Sequence, residues 1–361
     1  MFERRLYFHI DWLLIAAVFA LCAIGLAMIY SATGGPTSIY WTQIYAIGLG
    51  TIAMLACVAV DYRSLGDKSH LLFLAMVLTL AGVLFIGEVR GGSRRWIDLG
   101  PFNLQPSEFA KATVALMLAK MLGDTRRRAL TNNDLIFAGV LTAVPLLLIA
   151  RQPDLGTAVT LLPILLTITF VAGMPVKYLG AMALVAIIAA PVAYQFGLQD
   201  YQRERISTFL DPEQDARGAG YQQIQARITV GSGGVWGKGF TQGTQGQLRF
   251  LPVAHNDFIF SVLAEEQGFV GVIVALGLYL FVIMRSIEAA RLAKDRLGAY
   301  LVLGVLASFT FQVVYNITMS AGLVPVKGLT LPLMSYGGSS MIATLASFGL
   351  ILNVRMRRFT N

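Results

Sequence analysis

Charge is scarce in this chain of 361 residues: Asp, Glu, Lys and Arg make up 13% of it, whereas hydrophobic residues make up 56%. Soluble domains carry about 25% charged residues, so the composition excludes an ordinary water-soluble protein. Disorder is excluded as well, because disordered chains combine low hydrophobicity with high charge. A membrane β-barrel would show short alternating segments, whereas the apolar runs here are long. We therefore predict an all-α polytopic membrane protein.

Cysteine is rare too, and its two positions, Cys22 and Cys57, both lie inside apolar runs. We interpret both as small hydrophobic core residues, which offer neither a disulfide framework nor a CxxC metal site.

Ten apolar runs are candidates for transmembrane helices, which need about 20 residues each. The fourth run is the weakest, because it contains Glu108, Lys111 and Lys120. We expect one domain over residues 1–361. The predicted spans are 12–31, 40–60, 69–87, 107–122, 134–150, 154–173, 175–197, 257–284, 298–320 and 335–354.

Lys and Arg in the connections favour one side of the membrane, which the positive-inside rule assigns to the cytoplasm. That side holds both termini. Its basic residues are Arg4, Arg5, Arg63, Lys68, Lys120, Arg126, Arg127, Arg128, Lys177, Arg285, Arg291, Lys294, Arg296, Arg355, Arg357 and Arg358. The opposite short connections carry only Arg90, Arg94, Arg95, Arg151 and Lys327.

Residues 198–256 form a long polar connection between the seventh and eighth spans, on the extracytoplasmic side. Structureless loops longer than about 12–15 residues are uncommon. We therefore predict partial order, with short amphipathic helices over 201–210 and 220–230 at the membrane surface. The basic residues of this connection favour either contact with solvent and lipid head groups or recognition of pyrophosphate, which suits the guanidinium fork. They are Arg203, Arg205, Arg217, Arg227, Lys238 and Arg249.

Ionisable residues within spans are costly and are candidates for function. Glu108 and Lys111 are three residues apart on one helix face, so they form either an internal ion pair or part of an anion site. Asp154 follows Pro153 at a helix start, where it either complements the helix dipole or points into a polar cavity.

Asp257 stands at the start of another predicted helix, two residues after His255. It is either a helix cap or a general base. A lone His-x-Asp is a weak signal, and we predict no zinc site. Asn316 is expected to form an interhelical hydrogen bond. The small polar residues of 331–340 favour equally close helix packing or the lining of a cavity.

Together these segments resemble the SEDS family (shape, elongation, division and sporulation) of peptidoglycan glycosyltransferases, and within it the rod-elongation, RodA-like branch. The resemblance covers the whole chain. Its carriers are GGSRRWIDLGPFNLQPSEFAK at 91–111, RQPDLGT at 151–157, YQRERI at 201–206, the stretch 211–271 containing GKGFTQGTQGQLRFLPVAHNDF, and LPLMSYGGSS at 331–340. Family members usually read LPEAHTDF where this chain reads LPVAHNDF, so roles at Val253 and Asn256 do not carry over.

The resemblance implies polymerisation of lipid II into β-1,4 glycan strands at the outer face of the cytoplasmic membrane, with Asp257 as general base. No ligand cluster in the sequence requires a cofactor, although a divalent cation (Mg or Mn) would assist the pyrophosphate. The implied partners are a class B penicillin-binding protein and other elongation-complex membrane proteins. The expected substrate-binding residues are Arg94, Trp96, Glu108, Lys111, Asp154, Arg203, Arg205, Gln245, His255 and Ser335. The main alternative is a lipid II flippase, and a weaker one is a scaffold for the transpeptidase.

Overall fold

A computed structural model describes residues 10–90, 93–98, 103–125, 130–192, 194–195, 200–215, 218–244, 250–251 and 253–359. Over these ranges the chain is almost entirely helical. The helices are α1 (Trp12–Ala32), α2 (Ser38–Ala59), α3 (Tyr62–Asp67), α4 (Ser69–Ile86), α5 (Pro106–Gly123), α6 (Asn132–Arg151), α7 (Leu155–Val159), α8 (Leu161–Val171), α9 (Val176–Val192), α10 (Asp200–Leu210), α11 (Ala219–Ser232), α12 (Ile259–Arg291), α13 (Arg296–Ser320) and α14 (Gly338–Met356).

Seven of the described helices are long and apolar enough to cross a membrane: α1, α2, α4, α6, α12, α13 and α14. The three remaining predicted spans also have helical counterparts. They are α5, whose charges reduce its hydropathy, the consecutive helices α7 and α8, and α9. The prediction of a helical multi-pass membrane protein is therefore confirmed.

The centre of the bundle is formed by α13 and α14. In the apolar 18-residue window of each helix, 67% and 72% of the residues are buried within the protein, compared with 22% for α4 and α6. The outer helices instead expose apolar side chains such as Leu78 and Phe137, as expected for surfaces that face lipid. α14 packs against α2, and α13 packs against α5. Cys22 is buried and Cys57 half-buried, and both are free thiols, in agreement with their interpretation as core residues.

The connection between α4 and α5 contains a small sheet that the sequence analysis missed. Its strands are β1 (Glu88–Arg90), β2 (Ser93–Asp98) and β3 (Asn103–Leu104), antiparallel in the order β1-β2-β3. We call the end of the bundle that carries this sheet the hairpin end. We call the opposite end, where α1 begins and α14 ends, the terminal end.

The long connection between α9 and α12 is partly helical, as predicted. α10 and α11 occupy the positions expected for helices at 201–210 and 220–230, and a 3-10 turn (Pro212–Asp215) lies between them. α11 packs against α12, so this connection is folded onto the bundle at its hairpin end.

Candidate active site at the hairpin end

A polar cavity of about 460 Å³ opens at the hairpin end. Several segments build its wall. β2 contributes Arg95 and Trp96, the start of α5 contributes Glu108, the connection after α13 contributes Gly328, and the start of α14 contributes Ser339. Pro106 at the first turn of α5 fixes where that helix starts, because proline suits a position whose N–H has no helical partner. Of the two interpretations of 331–340, cavity lining is confirmed for residues 336–340.

Asp257 lies at the edge of this cavity, in the turn before α12. Gly328 is beside it, so that a Cβ at position 328 would be 3.6 Å from Asp257 Oδ2. The cap interpretation of Asp257 is wrong: α12 begins at Ile259, and no side chain caps it. The buried Oδ1 atom of Asp257 has no hydrogen-bond partner among the described residues. Buried polar atoms are rarely left without a partner, so this oxygen is a candidate for contact with substrate.

The main chain of Asp257 accepts a hydrogen bond from Asn316, whereas Oδ1 of its side chain has no partner among the described residues. Asn316 Nδ2 on α13 donates to the carbonyl oxygens of Asp257 (2.9 Å) and Leu329 (2.7 Å). Asn316 was expected to bond to another helix, whereas both of its acceptors lie in connections. It ties the turn before α12 to the connection after α13.

The electrostatic surroundings of Asp257 favour a base that titrates near neutral pH. Burial raises the pKa of Asp257 to about 6, and the positive charges of Arg95 and Arg205 limit that rise. Burial disfavours the charged form of a carboxyl group, whereas nearby cations favour it. At neutral pH the Asp257 carboxylate is therefore mostly ionised, with a basicity suited to proton abstraction.

Arg95, not Arg94, points into the cavity. Arg94 is exposed, and its Nη1 donates to the carbonyl oxygen of Leu84 at 3.4 Å. Arg95 lies 3.3 Å from Asp154 Oδ2 and stacks over the ring of Trp96, with 5.9 Å between its Cζ and the ring centroid. Arg94 is therefore not part of the cavity lining, and its role in substrate binding stays a prediction.

Lys111 and Glu108 form the ion pair that was one of their two interpretations. Lys111 Nζ is 2.8 Å from Glu108 Oε2 and donates to Gln312 Oε1 at 3.0 Å. Glu108 and Gln312 line the cavity, whereas Lys111 lies behind them. Lys111 therefore neutralises the cavity's carboxylate, and the expectation that it binds pyrophosphate directly is not supported by its position.

Asp154 caps a helix and binds residues of the cavity wall. Its Oδ1 accepts the backbone N–H of Thr157 at 3.1 Å and so caps α7. Its Oδ2 accepts from Gln105 Nε2 at 2.9 Å and pairs with Arg95. Asp154 thus fixes Arg95 at the cavity wall.

The two predicted arginines of α10 differ in position. Arg205 reaches the connection after α13, where its Nη1 donates to the carbonyl oxygen of Val326 at 3.1 Å. Arg203 turns the other way, and its Nη2 donates to the carbonyl oxygen of Gln195 at 2.7 Å. Of these two arginines only Arg205 is near Asp257, and substrate binding by Arg203 stays a prediction.

Lys327 is a cation near the site that sequence reasoning missed. Burial and the neighbouring Arg205 charge lower its pKa, and its Nζ lies 5.9 Å from the ring centroid of Tyr315. The only sequence signal was a basic residue in a short connection on the less basic side, which we used to assign topology. Lys327 directly precedes Gly328, which lines the cavity, and it therefore lies beside the cavity.

His255 and Ser335 lie next to the site without lining the cavity. The His255 ring packs edge-on against Tyr336 with 5.7 Å between centroids, and burial lowers its pKa. Ser335 is 4% exposed, and its Oγ accepts the Leu331 N–H at 2.8 Å. Both residues shape neighbouring turns. The expectation for Gln245 falls outside the described residues.

A helical multi-pass protein with a charged cavity and a buried carboxylate at the edge of that cavity has the features of a membrane-embedded enzyme. A family model described as "Cell cycle protein", for FtsW, RodA and SpoVE, matches residues 11–359. The chain is 37% identical to the peptidoglycan glycosyltransferase MrdB of Escherichia coli K12, over 97% of this chain and 94% of that protein. It is 31% identical to the peptidoglycan glycosyltransferase RodA of Treponema pallidum, over 96% and 98%.

Solved structures agree with these relatives. A chain from a peptidoglycan synthase complex superposes with a TM-score of 0.87 at 36% identity, covering 98% of this chain and 99% of that one. The rod shape determining protein RodA of Thermus thermophilus superposes with a TM-score of 0.74 at 33% identity, covering 98% of each. The chain belongs to the FtsW/RodA/SpoVE family, which is the SEDS family that the motifs indicated.

Proposed function

We propose that this protein polymerises lipid II into β-1,4 glycan strands, with Asp257 as the general base. Its relatives are named peptidoglycan glycosyltransferases, and the match spans almost the whole chain, so this protein is a glycosyltransferase of the same kind that acts in cell elongation. The observation that supports the base assignment is the Asp257 carboxylate itself. It lies at the cavity edge, with a buried oxygen that has no partner within the described part of the chain.

The reaction needs a base at the acceptor and positive charge at the leaving group. In the proposed step, Asp257 takes the proton from the 4-hydroxyl of the acceptor sugar. The hydroxyl oxygen attacks C1 of the donor MurNAc, the anomeric centre inverts, and undecaprenyl pyrophosphate leaves with the bonding electrons. Arg95, Arg205 and Lys327 are the cations placed to stabilise that pyrophosphate. In this proposal these three cations take the place of Arg94, Arg203 and Lys111, which were expected among the substrate-binding residues.

A divalent cation, Mg or Mn, would enter the site with the pyrophosphate in this proposal. Across the described ranges, no three His, Cys, Asp or Glu side chains lie close enough together to hold an ion by themselves. Such a cation would supply further positive charge for the pyrophosphate beside that of Arg95.

The setting proposed for the reaction is the outer face of the cytoplasmic membrane, with both termini in the cytoplasm. The bias of Lys and Arg supports this orientation, because it puts the terminal end of the bundle inside and the hairpin end outside. We also propose that the protein works with a class B penicillin-binding protein and other membrane proteins of the elongation complex. The similarity to a chain of a peptidoglycan synthase complex supports the first of these partners.

The test is a polymerisation assay with purified protein and lipid II. Wild-type protein should yield glycan strands, and Asp257→Asn should lose roughly 10²- to 10⁴-fold in rate, the usual contribution of a general base. Arg94→Gln is the matched control, because its side chain points away from the cavity. Normal polymerisation by Asp257→Asn would refute the base assignment. Absence of polymer from the wild type, together with lipid II flipping in vesicles, would favour a transporter.

A further inference from the structure

The helix that follows Asp257 is broken, and another segment of the chain fills the break. Within α12, Gly268 has a non-helical backbone (φ 64°, ψ −163°). In an unbroken helix the N–H groups of Phe269 and Val270 would donate to the carbonyl oxygens of Glu265 and Glu266. Here Phe269 and Val270 donate instead to the carbonyl oxygens of Gly234 and Val235, at 2.9 and 3.2 Å.

The freed carbonyl groups bind the same segment. Glu265 O accepts the N–H of Lys238, and Glu266 O accepts the N–H of Gly239, both at 3.0 Å. Residues 232–244, which we call the strap, therefore substitute for two consecutive bonds of the helix. The fit is tight: a Cβ at position 237 would lie 2.1 Å from Glu266 O, and one at 268 would lie 2.2 Å from the nitrogen of Gly237. Only glycine is accommodated at these two contacts.

Side chains fasten the strap to the same two helical residues. Lys238 Nζ is 2.6 Å from Glu265 Oε1, and the Glu265 side chain is fully buried. Lys238 Nζ also donates to Thr244 Oγ1 at 2.8 Å. Glu266 accepts from the hydroxyl of Ser31 at the end of α1 and from the N–H of Thr241. The half-helix 259–267 is therefore attached to the strap at the end opposite Asp257.

We propose that the strap positions Asp257 for catalysis and that Lys238 is a positioning residue acting through Glu265. The break at Gly268 replaces two of the helical bonds that would join the half-helix 259–267 to the rest of α12. The half-helix is almost completely buried, so it moves as a unit with the turn that carries Asp257. Its placement depends on the strap at one end and on Asn316 at the other. A displacement of about 1 Å at a reacting group can lower a rate about 10²-fold.

The inference rests on the proposed function, and its test therefore has a readout that does not require polymerisation. Lys238→Met removes the charge pair with Glu265 while keeping the length of the side chain. We expect kcat for lipid II polymerisation to fall about ten- to a hundredfold, with KM changed less than about twofold, because Asp257 is misplaced while substrate groups remain. Lys238→Arg should restore most of the rate. In Lys238→Met, amide hydrogen exchange over 259–267 should rise relative to wild type.

Lys120→Met is the matched control, since Lys120 pairs with Asp67 at 2.8 Å but at the terminal end. It should change neither kcat nor exchange in 259–267. A double variant of Lys238→Met with Glu265→Gln should be no slower than the slower single variant, because both act through one contact. Wild-type kcat and exchange in Lys238→Met would overturn the proposal, as would a loss that lies entirely in KM. Raised exchange without any polymer from the wild type would instead refute the proposed function.

Discussion

Two buried carboxylates at opposite ends of the bundle differ in whether their oxygens have partners. Asp11, at the terminal end, is 1% exposed, and its oxygens are fully occupied: Arg285 Nη2 lies at 2.8 Å, Arg355 Nη1 at 2.7 Å and the N–H of Leu14 at 3.2 Å. Asp257, at the hairpin end, has arginines nearby, yet its Oδ1 has no partner among the described residues. A paired carboxylate holds three helices together, whereas an unpaired one remains available to a substrate.

The same contrast applies to two asparagines. Asn353 at the terminal end donates to the carbonyl oxygens of Cys57, Val58 and Val60, and so closes the connection after α2. Asn316 does the equivalent at the hairpin end, but one of the carbonyl groups it binds belongs to Asp257. The hydrogen bonds of Asn353 thus stabilise the fold at the terminal end, whereas those of Asn316 also fix the main chain of Asp257, the proposed base.

The largest expected effect on stability is at Asp11. Asp11→Asn removes the buried partner of Arg285 and Arg355 and leaves them only the more exposed Glu288. We expect a cost of about 3 kcal/mol, the lower end for breaking a buried pair. The thermal midpoint of the detergent-solubilised protein should fall by several degrees. Asp67→Asn breaks an exposed pair with Lys120 and should leave the thermal midpoint almost unchanged, because solvent screens such pairs. Equal shifts for both variants would contradict the structural importance of the Asp11 cluster.

Substituting the two asparagines separates stability from catalysis. Asn316→Leu and Asn353→Leu each leave buried carbonyl groups without a donor, at about 1–3 kcal/mol. Both should lower the thermal midpoint by similar amounts. Only Asn316→Leu should also lower kcat per folded molecule, because it releases the main chain of Asp257. If Asn353→Leu lowered kcat as strongly, the two ends would not be functionally distinct.

Arg205→Gln should change the pH dependence of the reaction. The Arg205 charge favours the ionised carboxylate of Asp257, so its removal raises the pKa of Asp257 further. A base acts in its deprotonated form, and the acidic limb of kcat/KM should therefore move to higher pH. We expect a loss of about threefold or more near pH 6 and a smaller loss near pH 8. An acidic limb that did not move would show that the Arg205 charge has no effect on the pKa of the base.

The smallest effect is expected at Arg94. Its side chain is exposed and only donates to the Leu84 carbonyl at 3.4 Å. Arg94→Gln should alter the free energy of unfolding by no more than about 0.5 kcal/mol and leave polymerisation near the wild-type rate. Arg95→Gln, by contrast, removes a cavity cation and the partner of Asp154 and should slow the reaction. The reverse ranking would show that β2 presents the other face to the cavity.

The sequence was most informative where the chemistry is local. Glu108 and Lys111 are three residues apart in one helix, so their pairing follows from helix geometry. Asn316 is polar in a buried span and therefore needs partners, but its acceptors lie in connections and not in another helix. Arg95 could not be chosen over Arg94 from the sequence, because only the folded position of β2 shows which of the two arginines lines the cavity. Lys327 was not identified because only tertiary packing brings its connection beside Arg205 and Asp257.

The most direct measurement for the contrast between Asp11 and Asp257 is the pH profile of kcat/KM for lipid II polymerisation by the purified wild-type protein. The burial that raises the pKa of Asp257 to about 6 predicts an acidic limb at about that pH, below which the rate falls about tenfold per pH unit. The thermal midpoint measured at each pH shows that the protein stays folded. A rate that is constant from about pH 7 down to about pH 5 in folded protein would contradict Asp257 as the base.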